Sequence, residues 1–192
     1  MFRILLSVIL IVAKLQAIVG DNLVQKDLGF RYSLKENGNG SVKYNIPEYS
    51  LESYTAGDGK VYKKPVIIDA GQVSDEGQPD LPSSSTFIAI NPQKTYSINV
   101  NIISSNVIEN IEILPKNSWG NNSEITFEKG ASYNLQGHYP ENIAAISEPM
   151  TMRELSLVNL TVTPFRYYPQ EKRLEEFTEI EIELIETGES SD

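Results

Sequence analysis

Ser147–Leu184 reads SEPMTMRELSLVNLTVTPFRYYPQEKRLEEFTEIEIEL. Its last part carries the clearest signal in the chain. Across Phe177–Ile185, Phe177, Glu179, Glu181 and Glu183 alternate with Thr178, Ile180, Ile182 and Leu184. A period of two sends successive side chains to opposite faces, so the segment predicts a strand with one carboxylate face and one aliphatic face. As a helix it would stack like charges at i and i+4, which is unfavourable. The pattern predicts a strand on the outside of a sheet, at the closing edge, where charge discourages edge-to-edge pairing. A docking role for a basic partner is the second reading of the same glutamate row. Upstream, Leu155–Thr163 predicts a further strand, and Pro164–Pro169 an aromatic, proline-bounded turn.

The same period recurs towards the N-terminus. Tyr96, Ile98, Val100 and Ile102 alternate with Ser97, Asn99 and Asn101, and Val107–Leu114 repeats the theme. Thr86–Ile90 is apolar nearly throughout, as in a strand covered on both faces. Val42–Ile46, Tyr49–Thr55 and Val61–Asp69 predict strands, the last two joined by the Asp-Gly turn of Ala56–Lys60. Ile125–Phe127 and Ile143–Ile146 predict shorter ones. Asp21–Lys43 and Gly71–Pro82 read as polar, turn-rich connections. No stretch beyond the N-terminal apolar run sustains a helical period for three turns. The class is therefore all-β, an antiparallel β-sandwich or distorted barrel.

Composition narrows the function classes. The 192 residues carry a formal charge of −10 and no cysteine. Such a surface repels phosphate backbones, which argues against nucleic-acid binding. Thiol catalysis and thiolate metal sites are excluded. At the N-terminus, Arg3 precedes the apolar run Ile4–Ala13, and Ala17 and Gly20 offer small residues for cleavage. That run is short for a bilayer span but suits a secretory signal peptide over residues 1–20, with no stable membrane insertion after its removal. The loss of Arg3 and Lys14 would move the charge from −10 to −12.

Candidate chemistry is sparse. His138, the only histidine, lies in the loop LQGHYP with no visible nucleophile or orienting group; it reads as a surface residue. Ser83–Ser85 lack the Gly-x-Ser-x-Gly elbow and read as solvated loop serines. Asp75, Glu76 and Asp80 offer oxygens, but without calcium-loop spacing. Asn39, Asn121 and Asn159 head Asn-x-Ser/Thr sequons. Trp119, in the polar loop Pro115–Asn122, is either packed back on the sandwich or exposed as a binding anchor. No catalytic, cofactor or metal-binding residue is predicted.

Four pieces in order carry a family resemblance: Gly77–Pro82 (GQPDLP), Tyr139–Ala144 (YPENIA), Glu148–Glu154 (EPMTMRE), and Pro164–Pro169 (PFRYYP) followed by Leu174. Over about residues 66–186 the chain resembles the N-terminal propeptide of the gingipain-type, clostripain-related secreted cysteine peptidases. The resemblance implies a β-sandwich prodomain of a zymogen that assists folding of a cognate cysteine peptidase domain and masks its active site. It also implies a loop whose basic side chain enters the specificity pocket as a substrate mimic, a strong and geometry-dependent contact. By motif order that loop falls at Pro115–Lys129, which has no arginine. Lys116 is the candidate for the inserted side chain, with Lys129 and Trp119 as the other candidate partner-binding residues. The expected organisation is a signal peptide (1–20), N-terminal strands and hairpin (21–65), the propeptide-like core (66–186) and an acidic tail (187–192). The expected molecule is secreted and is not itself an enzyme, since the Cys/His dyad of such a peptidase is absent from these 192 residues. A structural or adhesive sandwich module of an exported surface protein is the alternative.

Overall fold

The computed structural model describes residues 29–34, 40–56, 59–72, 74–119 and 125–190, and only the backbone at 34, 118, 119, 125 and 126. The expected signal peptide and the sequons at Asn39 and Asn121 lie outside the described residues. In chain order the strands are β1 (Phe30–Leu34), β2 (Gly40–Asn45), β3 (Tyr49–Thr55), β4 (Val61–Ile67), β5 (Gly71–Gln72), β6 (Pro82–Ala89) and β7 (Lys94–Ile108). They continue as β8 (Ser118–Trp119), β9 (Ile125–Thr126), β10 (Ala144–Ile146), β11 (Met150–Met152), β12 (Leu155–Val162), β13 (Phe165–Tyr168) and β14 (Arg173–Glu189). The described helical content is one 3-10 turn, Ala131–Asn134. The all-β expectation holds.

One sheet runs β1-β2-β14-β13, with β7 also paired to β14; the other runs β10-β12-β6-β5, with β11 on β12. The strands pair antiparallel throughout both sheets. Between the sheets lies a core of Val42, Tyr44, Phe177, Ile180 and Ile182 from the first and Ile143, Ala144, Leu160 and Val162 from the second. A second core gathers Ile67, Leu81, Ile111, Ile113, Tyr133, Phe165, Tyr167 and Leu174 under the β3–β4 hairpin. There the Tyr49 ring meets Phe165 edge-on at 5.1 Å. Gly29 starts the first sheet with φ +82°, where a Cβ would lie 2.1 Å from the Asn45 carbonyl oxygen. A glycine is required by both the angle and the space.

The glutamate-faced strand is not at an edge. One side of β14 is paired with β7 along nearly its whole length; the other takes β13 at Arg173–Glu176 and β2 at Glu179–Glu183. The alternation correctly reported a solvated face and a buried face, but lateral position leaves no mark on it. Phe177 also leaves the glutamate face. Register shifts against β7 between Phe177 and Ile180 turn its ring inward to 1 % exposure. A bulge inserts the extra residue that reverses the phase.

Other expectations are corrected in the same way. β7 is one strand of 15 residues, not a strand ending near Ile102 followed by another at Val107–Leu114. Asn110, at φ 56°, breaks the extended run; Ile111 and Ile113 pass inward into the second core, and Leu114 is buried as well. Ser83–Ser85 are not loop serines: they lie in β6, with Ser83 and Ser84 buried. Ser84 Oγ lies 3.3 Å from the Tyr44 hydroxyl and Ser85 Oγ 2.9 Å from Thr161 Oγ1. β1 lies in the stretch expected to be turn-rich, and Pro164–Pro169 contains β13.

Candidate functional site

The segment that carries Lys116 is stitched to the Gly77–Asp80 loop by backbone hydrogen bonds. Asp80 N–H donates to the Leu114 carbonyl (2.8 Å), Lys116 N–H to Gln78 (2.8 Å), and Gly77 N–H to Lys116 (3.1 Å). From this base the chain enters the antiparallel β8–β9 pair, with Ser118 opposite Thr126 and Trp119 opposite Ile125. The returning chain closes the ring where Gly130 N–H donates to the Gly77 carbonyl at 2.7 Å. Two glycines permit that approach. Gly77 has φ +77°, and a Cβ on it would sit 3.1 Å from the Gly130 nitrogen; a Cβ on Gly130 would sit 3.0 Å from the Gly77 oxygen. The glycine of the GQPDLP motif is thus the hinge point of the hairpin base.

A cleft of about 200 Å³ opens there, lined by Glu76, Gly77, Lys116, Glu128, Lys129 and Gly130. The two candidate lysines have different fates within it. Lys129 Nζ is 2.9 Å from Glu112 Oε2 and stands over the rings of Tyr62 and Tyr133 at 5.3 and 5.0 Å. Lys172 pairs with the other Glu112 oxygen at 2.9 Å, and Lys60 Nζ lies 4.0 Å from Oε2. Hydrogen bonding from Lys129, reinforced by Lys172, holds the Glu112 carboxyl down at about 2. Burial raises the Tyr133 hydroxyl well above its ordinary value, and that hydroxyl donates to the Ile113 carbonyl at 2.8 Å. Lys129 is therefore a structural cation, held by a carboxylate and two aromatic faces.

Lys116 is half-buried through its backbone anchorage, and its ammonium has no hydrogen bond or ion pair with the described residues. The backbone of Trp119 is in the hairpin, while its side chain lies outside the described residues. His138 packs edge-on against Tyr168 and sits 3.0 Å from the Pro140 carbonyl. Asp80 is buried and paired with Lys64 at 2.7 Å. Among the described residues no three metal-ligating side chains converge, and no described helix is long and apolar enough to cross a membrane. The sequence reading missed Glu112, Tyr62 and Tyr133. Their one sequence signal is weak, since Tyr62 and Glu112 each sit in an alternating run whose partner is far along the chain.

The four motif pieces all fall at structurally demanding places. Gly77–Pro82 forms the hairpin base and enters β6. The cis Tyr139–Pro140 bond leads into β10. Glu148–Glu154 forms the β11 turn, with Arg153 at φ 58°, and Pro164–Pro169 supplies β13. A family model, Propeptide_C25, matches residues 30–191. The chain belongs to that family.

Among curated relatives, Gingipain R2 of Porphyromonas gingivalis is 30% identical over 136 residues, which cover 68% of this chain and 18% of the relative. Gingipain R1 of the same species is 28% identical over 131 residues, covering 65% and 13%. The match thus spans less than a fifth of these curated relatives. Among solved structures, the complex of Porphyromonas gingivalis RgpB pro- and mature domains superposes with a TM-score of 0.73 at 24% identity, covering 87% of this chain and 90% of that one. A structure addressing the zymogenic latency of gingipain K from that organism gives 0.64 at 19% identity, covering 86% and 96%. At these identities the two structures support the fold of the Propeptide_C25 domain.

Proposed function

We propose that this chain is the prodomain of a secreted gingipain-type cysteine peptidase, masking the active site and assisting folding of that peptidase, without catalytic residues of its own. Membership of the propeptide family supports the reading, as does likeness to a pro-domain solved with its mature domain. The observation that carries it to a site is the contrast between the two lysines. Lys129 is committed to Glu112, whereas Lys116 stands at the rim of the cleft without a counter-ion among the described residues. An ammonium without a counter-ion among the described residues, at the base of the β8–β9 pair, is suited to meet a carboxylate in a partner's specificity pocket, where desolvation makes the pair strong. Export by a signal peptide over residues 1–20 completes the proposal.

The test is inhibition of a gingipain-type peptidase from the same organism by the purified chain. The wild-type chain should slow turnover of a peptide substrate, and Lys116→Ala should weaken inhibition by about tenfold or more. Lys129→Ala should lower thermal stability with a smaller effect on inhibition. An unchanged peptidase rate with wild-type chain rejects masking and leaves the structural-module reading. Full inhibition by Lys116→Ala rejects only that residue's role.

A further inference from the structure

Among the described residues, β7 leaves a long edge unpaired. Its one lateral partner is β14, and the opposite side of Thr95–Ile108 has no backbone hydrogen bond among the described residues. Natural sheets guard such edges with charge, proline or brevity, because free N–H and C=O groups recruit another strand. The other edges here obey that rule, except Ser84–Ala89 of β6, which is paired only with β12 among the described residues but is shorter and has its Phe87 carbonyl taken by the Tyr32 hydroxyl. β1 carries Arg31 and β13 carries Arg166; β5, β10 and β11 have two or three residues each; β4 carries Lys63, Lys64 and Pro65. Thr95–Ile108 contains no charged residue and no proline, in a chain of charge −10. It also exposes Ile102, Ile103 and Val107 at 40, 49 and 50 %.

The segment Tyr96–Ile102 (YSINVNI) is the regular half of this edge, in unbroken register with Ile180–Glu186 of β14. Its pattern reads the same from both ends: apolar, polar, apolar, Asn99, apolar, polar, apolar. We propose that Tyr96–Ile102 pairs antiparallel with the same segment of a second copy of this chain, about a two-fold axis at Asn99. In that register Asn99 faces its own copy, Ser97 faces Asn101, Ile98 faces Val100, and Tyr96 faces Ile102. Apolar side chains meet apolar ones on the core face and amides meet hydroxyls on the solvent face. No like charges are juxtaposed, which matters when both copies are strongly acidic. A second copy meets this uncharged edge with an equally uncharged one, polar opposite polar and apolar opposite apolar at each position. The pairing does not depend on the peptidase reading.

Sedimentation of the purified chain across a concentration series tests it. A reversible monomer–dimer equilibrium is expected, and Asn99→Lys should raise its dissociation constant at least tenfold by placing two ammonium groups at the axis. Asn99→Glu should do the same. Mixing the Lys and Glu variants should restore dimer, since opposite charges then meet. In the wild type, amide exchange within Tyr96–Ile102 should slow as concentration rises. A wild-type chain that stays monomeric at all concentrations overturns the proposal. So does a dimer that is indifferent to both substitutions, or one whose Tyr96–Ile102 amides show no concentration dependence.

Discussion

Glu112 illustrates what a single residue does in this molecule. One largely buried carboxylate binds Lys129 and Lys172 at 2.9 Å each and ties the hairpin base to the β13–β14 turn. Its folded-state value of about 2 lies below the ordinary 4.5. A depressed carboxyl contributes stability that is fully present above the unfolded value and is lost as pH falls from about 4.5 towards 2. Linkage sets a ceiling of about 3 kcal/mol, and solvent screening of the exposed lysines reduces this to about 1–2 kcal/mol. Glu112→Gln should therefore lower the melting temperature at neutral pH by about 2–8 °C. The gap between the two proteins should close below pH 4, as seen by circular dichroism melts across a pH series. A gap that persists unchanged at pH 2 would place the stabilisation elsewhere. None of this was legible in the sequence, because Glu112, Lys129 and Lys172 are brought together by loops and not by spacing within one element.

At the scale of the element, β14 shows both the reach and the limit of periodicity. Ile180 and Ile182 are buried and Glu179, Glu181 and Glu183 lie on the other face, as the alternation predicts. Burial of one face is a local property that the chain writes every second residue. Which strands lie alongside is decided by backbone pairing in register with Asn45, Lys43, Asn101 and Asn99, whose own patterns are equally generic. The Phe177 bulge was likewise invisible, since one extra residue changes no composition. A central position has a measurable consequence. Successive amides of Glu179–Glu183 should all exchange slowly, near the rate set by global unfolding, because strands flank both sides. An edge strand would instead alternate slow and fast amides. Native-state hydrogen exchange read residue by residue distinguishes the two, and fast exchange at every second position would restore the edge assignment.

For the whole molecule, the important fact is how late the first sheet can close. Asn45 of β2 waits for Glu179 of β14, and β7 waits for the same strand. Pairings of such long sequence separation are slow, and millisecond-to-second folding is the expected regime. Until β14 arrives, β2 and β7 lack a common neighbour, and the first core lacks Phe177, Ile180 and Ile182, each 1 % exposed or less. Loss of buried side chains of this size costs about 2–5 kcal/mol each. Three of them together are comparable to the roughly 5–15 kcal/mol that holds a typical domain together. A chain ending at Glu176 should therefore keep the β6–β12 pairing sequences and still show no cooperative urea transition and no near-ultraviolet circular dichroism. A truncated chain that unfolds cooperatively, with the denaturant slope of the full one, would show that the second sheet folds unaided. The expected result bears on the proposed prodomain role. A domain whose first sheet is closed by its last strand is complete only after that strand is made, so any help it gives a partner's folding begins from a finished sandwich and not from a nascent one.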